Sequence, residues 1–231
     1  INGRCIEYGP IASYDPYWTL SDPSFPKCVN NTEQLLQEGK MHASLTQHIY
    51  DIPFDVFTDY FAQPQLWPTW NMLFDVVDST PESFKVCNSL QGSFHIVPEI
   101  STDAILGYPT IVLTERTSTK LHYSWSYSFQ NLAGETPIFG RHDYVLAPSV
   151  CNKNKTFFLS WEKASGTAVE NNIKEEEHTL NVATLAAMDG ADCLARVYEL
   201  FGEFDPTIVQ KECGNDPRAS WSALITGGKY I

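Results

Sequence analysis

The chain has 231 residues, with 15 Lys and Arg against 28 Asp and Glu and a formal net charge of −13. An acidic chain without a basic cluster repels phosphate backbones and anionic bilayers, which excludes nucleic acid as a partner. No apolar run approaches the roughly 18–20 residues of a membrane-spanning helix, and the length suffices for one sizeable core with terminal extensions.

The six cysteines, Cys5, Cys28, Cys87, Cys151, Cys193 and Cys213, are even in number, with no Cys-x-x-Cys pair and no His at ligand spacing. A zinc site, or any other metal site, is therefore not expected. Sequons begin at Asn30 and Asn154, and the first residue is Ile rather than Met, which fits a processed N-terminus. Together these features predict a secreted glycoprotein with up to three disulfides, the alternative being reduced, buried thiols. Cys5–Cys28 would close a short Pro-rich segment, leaving Cys87–Cys151 and Cys193–Cys213 for the others.

Residues 1–38 carry Pro10, Pro16, Pro23 and Pro26 among aromatic and acidic residues and read as an N-terminal extension. Alternation of Met41, Ala43, Leu45 and Ile49 with His42, Ser44, Thr46 and His48 predicts a first strand over 40–50, its histidines turned away from the apolar face. Phe54, Phe57 and Phe61 recur at helical spacing after Pro53, and Pro64 to Asn71 reads as a second short helix or turn. Strands are then predicted over 73–78, 84–90, 93–97, 110–116, 120–129, 141–147 and 155–163, separated by Pro-, Gly- and Asn-rich turns, as in an antiparallel sheet.

The strand over 120–129 is the most distinctive. Leu121, Tyr123, Trp125, Tyr127 and Phe129 alternate with Lys120, His122, Ser124, Ser126 and Ser128, so one face is paved with large side chains. Such a face suits an ordinary core, and it also suits the wall of a pocket for a flat ligand. From about Glu175 to Phe204, Leu180, Ala183, Ala187, Ala191, Leu194, Tyr198 and Phe201 recur at threes and fours, predicting one long helix. Gly190 in its interior costs roughly 1 kcal/mol against Ala and calls for a packing reason or a bend. The tail 205–231, with Pro206, Pro217 and Gly227-Gly228, reads as a C-terminal extension tied down by Cys213.

Three stretches resemble the polyketide cyclase/dehydrase branch of the START-like superfamily: Ile52 to Phe57 running on to Trp67-Pro68-Thr69-Trp70-Asn71, Thr114-Glu115-Arg116, and Gly140 to Pro148 followed by Lys155 to Glu162 and Gly166. The resemblance implies an α+β helix-grip fold over 39–204, a curved antiparallel sheet of about seven strands around a long C-terminal helix, flanked by the extensions 1–38 and 205–231. It also implies an internal cavity. Trp125, Leu121, Phe129, Tyr144, Phe158 and Trp70 would contact the ligand, and a turn of Phe158, Ser160 and Glu162 to the inside is part of the same pattern. Phe157, Leu159 and Trp161 on the opposite parity are equally apolar, so that strand is open to being covered on both sides.

His142 and Glu162, on adjacent strands of the implied hairpin, would form an acid/base pair, with the imidazole able to hold the carboxyl's proton. Tyr127 and Tyr123 would donate hydrogen bonds to a ligand oxygen. The alternative is that His142 and Glu162 merely satisfy each other in the interior. No nucleophile elbow, His-Glu-x-x-His or dinucleotide fingerprint is present, so the expected chemistry uses no cofactor. The expected function is ring closure of a hydrophobic polyketide- or terpenoid-like small molecule, with a secreted carrier of a lipophilic ligand as the alternative and a homodimer left open.

Overall fold

The computed structural model describes residues 42–71, 73–78, 85–96, 105–130, 138–167 and 182–214. Eight strands form one antiparallel sheet: β1 His42–Tyr50, β2 Val76–Asp78, β3 Ser89–Ile96, β4 Ile105–Gly107, β5 Thr110–Thr117, β6 Lys120–Gln130, β7 Ile138–Pro148 and β8 Thr156–Ser165. The spatial order is β1-β8-β7-β6-β4-β3-β2, and β5 also pairs with β3 and β6. β4 and β5 together make one interrupted strand, since β6 pairs with β5 near its start and with β4 at its end. Pro109, in the interruption, has no N–H to offer a ladder.

Among the described residues, two helices precede the second strand, α1 Phe54–Phe61 and the 3₁₀ helix Pro64–Thr69, and α2 Val182–Phe201 and α3 Pro206–Cys213 follow the last. The aromatic period of α1 puts Phe54, Phe57 and Phe61 into the main core. The 3₁₀ helix is locked to α1 by Trp67, whose Nε1 donates to Phe61 O at 2.9 Å. α2 lies against the same face of the sheet: Ser44 Oγ and Thr184 Oγ1 are 2.7 Å apart, and Tyr50 Oη donates to Asp192 Oδ1 at 2.7 Å. Gly190 has the packing reason that its position demanded. A Cβ there would lie 2.5 Å from Trp70 O and 2.8 Å from Trp70 Cε3, so the helix backbone rests directly on Trp70. This arrangement, a sheet holding one long helix, is the helix-grip fold.

Several elements differ from the sequence reading. The inner face of β1 carries Ser44, Thr46, His48 and Tyr50, because its register sets them beside Glu162, Ser160, Phe158 and Thr156. The apolar parity is the outer one: Leu45 is exposed, and Ile49 packs on an outer cluster of Val145, Phe157, Leu159 and Trp161. His48 is exposed, while the side chain of His42 lies outside the described residues. The strands expected over 84–90 and 93–97 are one strand, β3. Gly92 does not turn the chain there; it admits the close approach of Pro109 and Val76, which a Cβ would meet at 3.1 and 3.3 Å. The strand expected over 73–78 starts only at Val76, and β4 had no counterpart in the prediction.

β8 is buried at all ten positions, and on β6 the polar parity is buried as well, at His122, Ser124 and Ser126. The outer face there carries a charged cluster. Asp143 Oδ1 accepts from Arg141 Nη2 at 2.7 Å and lies 2.7 Å from His122 Nε2.

The cysteines fall into three sets. Cys193 and Cys213 form a disulfide that ties α2 to α3, a bond suited to an oxidising compartment. Cys151 is disulfide-bonded, but Cys87 is a free, exposed thiol, so the expected Cys87–Cys151 bond is corrected. Cys5, Cys28, the sequon Asn30, the N-terminal extension, the predicted helix start at Glu175 and residues 215–231 lie outside the described residues. No described helix is long and apolar enough to cross a membrane.

Candidate functional site

Strand alternation and cross-strand register build the inner face row by row. Leu121, Tyr123, Trp125 and Tyr127 of β6 face Leu146, Tyr144, His142 and Gly140 of β7. Leu146, Tyr144 and His142 then face Phe158, Ser160 and Glu162 of β8. All of these are buried. The side chain of Phe129 lies outside the described residues.

The two ends of this face are used differently. At the end nearer α1, Tyr123 donates its hydroxyl to Ala62 O at 3.1 Å, and its ring meets Trp67 edge-on at 5.1 Å. Burial pushes this phenol up, away from ionisation, and its one proton serves the fold. Tyr144 is held likewise, its Oη accepting from Asn71 Nδ2 at 2.9 Å while Asn71 Oδ1 accepts from Leu73 N at 3.1 Å.

At the other end a missing Cβ creates the arrangement. A Cβ on Gly140 would lie 2.2 Å from Tyr127 Cζ, so only glycine lets the Tyr127 ring lie across β7. The hydroxyl thereby reaches β8 and donates to Glu162 Oε1. Burial raises the Glu162 carboxyl to about 7, and the Tyr127 hydrogen bond pulls it back only in part. Burial, aided by the neighbouring Glu162 carboxylate, lifts the Tyr127 phenol well above its ordinary value. At neutral pH Tyr127 therefore keeps its proton while Glu162 is divided between its acid and carboxylate forms, the condition a general acid or base needs. Glu162 Oε2 has no hydrogen-bond partner.

His142 sits opposite Glu162 but bonds elsewhere. Its Nε2 is 2.7 Å from Ser160 Oγ, its ring is stacked on Trp125 with centroids 4.7 Å apart at 6°, and Tyr144 meets it edge-on at 4.8 Å. Burial lowers its pKa to about 3, so the imidazole is neutral and does not take the carboxyl's proton. The hydrogen-bond partner of Glu162 in the structure is Tyr127, where the sequence reading had His142. Ser160, Gly140 and Asn71 were given no role in that reading. Ser160 shares the inward parity of Glu162, and that alternation was the one signal able to find it.

Trp70 completes the site from the end of the 3₁₀ helix, which it caps, its ring 5.1 Å from Phe61 and its Nε1 buried without a partner. Among the described residues no group of three His, Cys, Asp or Glu stands close enough to hold a metal ion.

No protein-family model matches the sequence, and no curated protein does. Among solved structures, a hypothetical protein from Helicobacter pylori is similar with a TM-score of 0.50 and 12% identity, covering 68% of this chain and 90% of that one. The likeness is one of fold alone. An aromatase/cyclase from Streptomyces sp. R1128 has a TM-score of 0.48 at 9% identity, covering 69% of this chain and 96% of that one. A START superfamily protein from Mycobacterium smegmatis has a TM-score of 0.41 at 13% identity, covering 70% and 99%. At these identities the likeness is one of fold, and any argument about function rests on the side chains of the inner face itself.

Proposed function

We propose that the chain is a cofactor-free cyclase of natural-product type. It folds a hydrophobic polyketide- or terpenoid-like molecule against its aromatic inner face and promotes ring closure, pericyclic closure included. The observation that carries this reading is the buried Tyr127–Glu162 pair, a titratable carboxyl held near neutrality by burial and aimed at an aromatic surface. Glu162 gives or takes the proton, Tyr127 supplies the hydrogen bond that tunes it, and the neutral His142 stands by as a hydrogen-bonding group. Trp125, Trp70, Tyr144, Phe158 and Leu121 shape the substrate. Tyr123 is left with a structural part, since its hydroxyl is committed to Ala62.

A second reading, a secreted carrier of a lipophilic ligand, is favoured by one observation: Tyr123 and Tyr144 are both hydrogen-bonded within the fold, so much of the inner face offers only apolar surface. Secretion and a glycan on the exposed Asn154 belong to both readings, and light scattering distinguishes a monomer from a homodimer.

To test them, purified protein is incubated with a small-molecule extract of its source, and bound and free compounds are followed by mass spectrometry. A cyclase releases altered product, and Glu162→Gln or Tyr127→Phe lowers turnover by on the order of 10²-fold or more while the ligand still binds. Recovery of an unaltered ligand at one per chain, with both variants indistinguishable from the parent, replaces the cyclase by the carrier.

A further inference from the structure

Among the described residues, three buried polar atoms on and against the inner face lack a hydrogen-bond partner: Trp70 Nε1, His142 Nδ1 and Glu162 Oε2. They come from three separate elements, and their residues are 3%, 0% and 4% exposed. Buried polar atoms are normally paired because leaving them unpaired is costly, so three in one region point to a partner that is not part of the protein.

The three are linked through Tyr144. Trp70 precedes Asn71, whose amide reaches Tyr144 Oη at 2.9 Å. Phe61 touches both Trp70 and Tyr144, with centroids at 5.1 and 5.6 Å. Tyr144 meets the His142 ring at 4.8 Å, and His142 faces Glu162 across the β7–β8 ladder. Burial is the main cause that lifts the Tyr144 phenol, and the nearby Glu162 charge adds to it.

The chemistry of the three atoms restricts the ligand. An indole N–H only donates. A carboxyl accepts when ionised and donates when protonated. His142 Nδ1 does either, because the Ser160 hydroxyl can rotate to donate to Nε2 or to accept from it, and the free nitrogen takes the complementary role. The ligand must therefore offer lone pairs to Trp70 and a proton to exchange with Glu162. A carboxylate ligand would set an anion beside Glu162, and an ammonium has no lone pair for Trp70. A hydroxyl on an sp² carbon has both, and it is carried by a flat framework that suits the surrounding rings.

We propose that Trp70, His142 and Glu162 form a recognition site for the hydroxyl of a phenol or of an enolised carbonyl compound, with the ligand's plane lying among Trp125, Phe61 and Tyr144. This rests on the reading that the inner face binds a small molecule.

The test uses 2-naphthol and its methyl ether, 2-methoxynaphthalene, titrated by fluorescence into the full-length protein and into Trp70→Phe and Glu162→Gln. The expected result is about tenfold tighter binding of 2-naphthol than of the ether, as one well-placed hydrogen bond provides. Glu162→Gln removes that preference, because the ether lacks only the proton that the carboxylate accepts, whereas Trp70→Phe weakens both probes, whose oxygens both accept from the indole N–H. Glu162→Gln keeps the side chain's shape, so it decides the matter if Trp70→Phe does not fold. Equal binding of the two probes, or a preference that survives Glu162→Gln, overturns the recognition site and leaves the ligand-binding reading standing. Failure of both probes to bind overturns both.

Discussion

Glu162 and His142 face each other across two strands and are buried alike, yet burial moves their proton affinities in opposite directions because their charged forms have opposite sign. The consequence is a stability profile with two arms. Between about 4.5 and about 7, unfolded Glu162 gives up a proton that the folded protein keeps, so stability falls as pH rises through this window. Between 6.5 and about 3, unfolded His142 takes up a proton that the folded protein refuses, so stability falls as pH drops. A raised carboxyl of this size corresponds to about 3 kcal/mol across its window. Glu162→Gln, which cannot ionise, should remove the neutral-side arm only. Relative to the parent, its unfolding free energy should climb by about that amount from pH 4.5 to 7, read from urea unfolding at a series of pH values. A constant difference across that range would show that Glu162 is not held as an acid in the folded protein.

At the scale of elements, the parts that were legible in the sequence are those where one periodicity dominates. β6 alternates large aromatics with small polar residues over its length, and α1 repeats phenylalanine at threes and fours, so both emerged with the right type and the right buried side chains. β1 alternates just as regularly, but its polar parity is the inner one because Ser44 and Thr46 bond to Thr184 of α2 and Tyr50 bonds to Asp192. An alternation rule that sends apolar residues inward cannot anticipate a helix that arrives bearing hydrogen-bond partners. The same limit explains the partner of Glu162: alternation placed His142 beside it, but Tyr127 reaches it only because Gly140 has no side chain, a three-strand relation without a local signature. Gly190 is the complementary case, a glycine whose cost was visible and whose cause was not. Gly190→Ala should gain roughly 1 kcal/mol in helix propensity. It also drives a methyl to 2.5 Å from a backbone oxygen of Trp70, which has no flexible side chain to yield. Overpacking typically costs 1–3 kcal/mol, about equal to or greater than the gain, and the close backbone contact puts this site at the upper end. Chemical denaturation should therefore find a net loss of about 1–2 kcal/mol, and a more stable variant would mean that α2 does not rest on Trp70 as described.

For the whole molecule, the sheet divides two functions between its faces. The inner face joins the aromatic rows to α1 and α2, while the outer face of β6–β8 carries its own apolar cluster and the ion pair of Asp143 with Arg141. α3, packed against α2 and the 3₁₀ helix, is more than an appendage. Val209 is fully buried in the main core, and the helix start is capped by Asp205, whose carboxylate accepts from Thr207 N at 2.8 Å and Ile208 N at 3.2 Å. The Cys193–Cys213 disulfide therefore joins two elements that are already docked by packing and capping. In that situation a crosslink acts chiefly on the unfolded chain, removing the freedom of the loop of sequence separation 20 that it closes. The chain-entropy estimate for a loop of this size is about 3 kcal/mol. A Cys193→Ser, Cys213→Ser double variant should lose roughly 2–4 kcal/mol of unfolding free energy, and its folded state should keep α3 in place. Hydrogen exchange separates the two effects: amide protection in α3 should drop only in proportion to the global stability. Exchange of α3 at the free-peptide rate, with the rest of the molecule still protected, would show instead that the disulfide, and not Val209 and the Asp205 cap, holds this helix against the core.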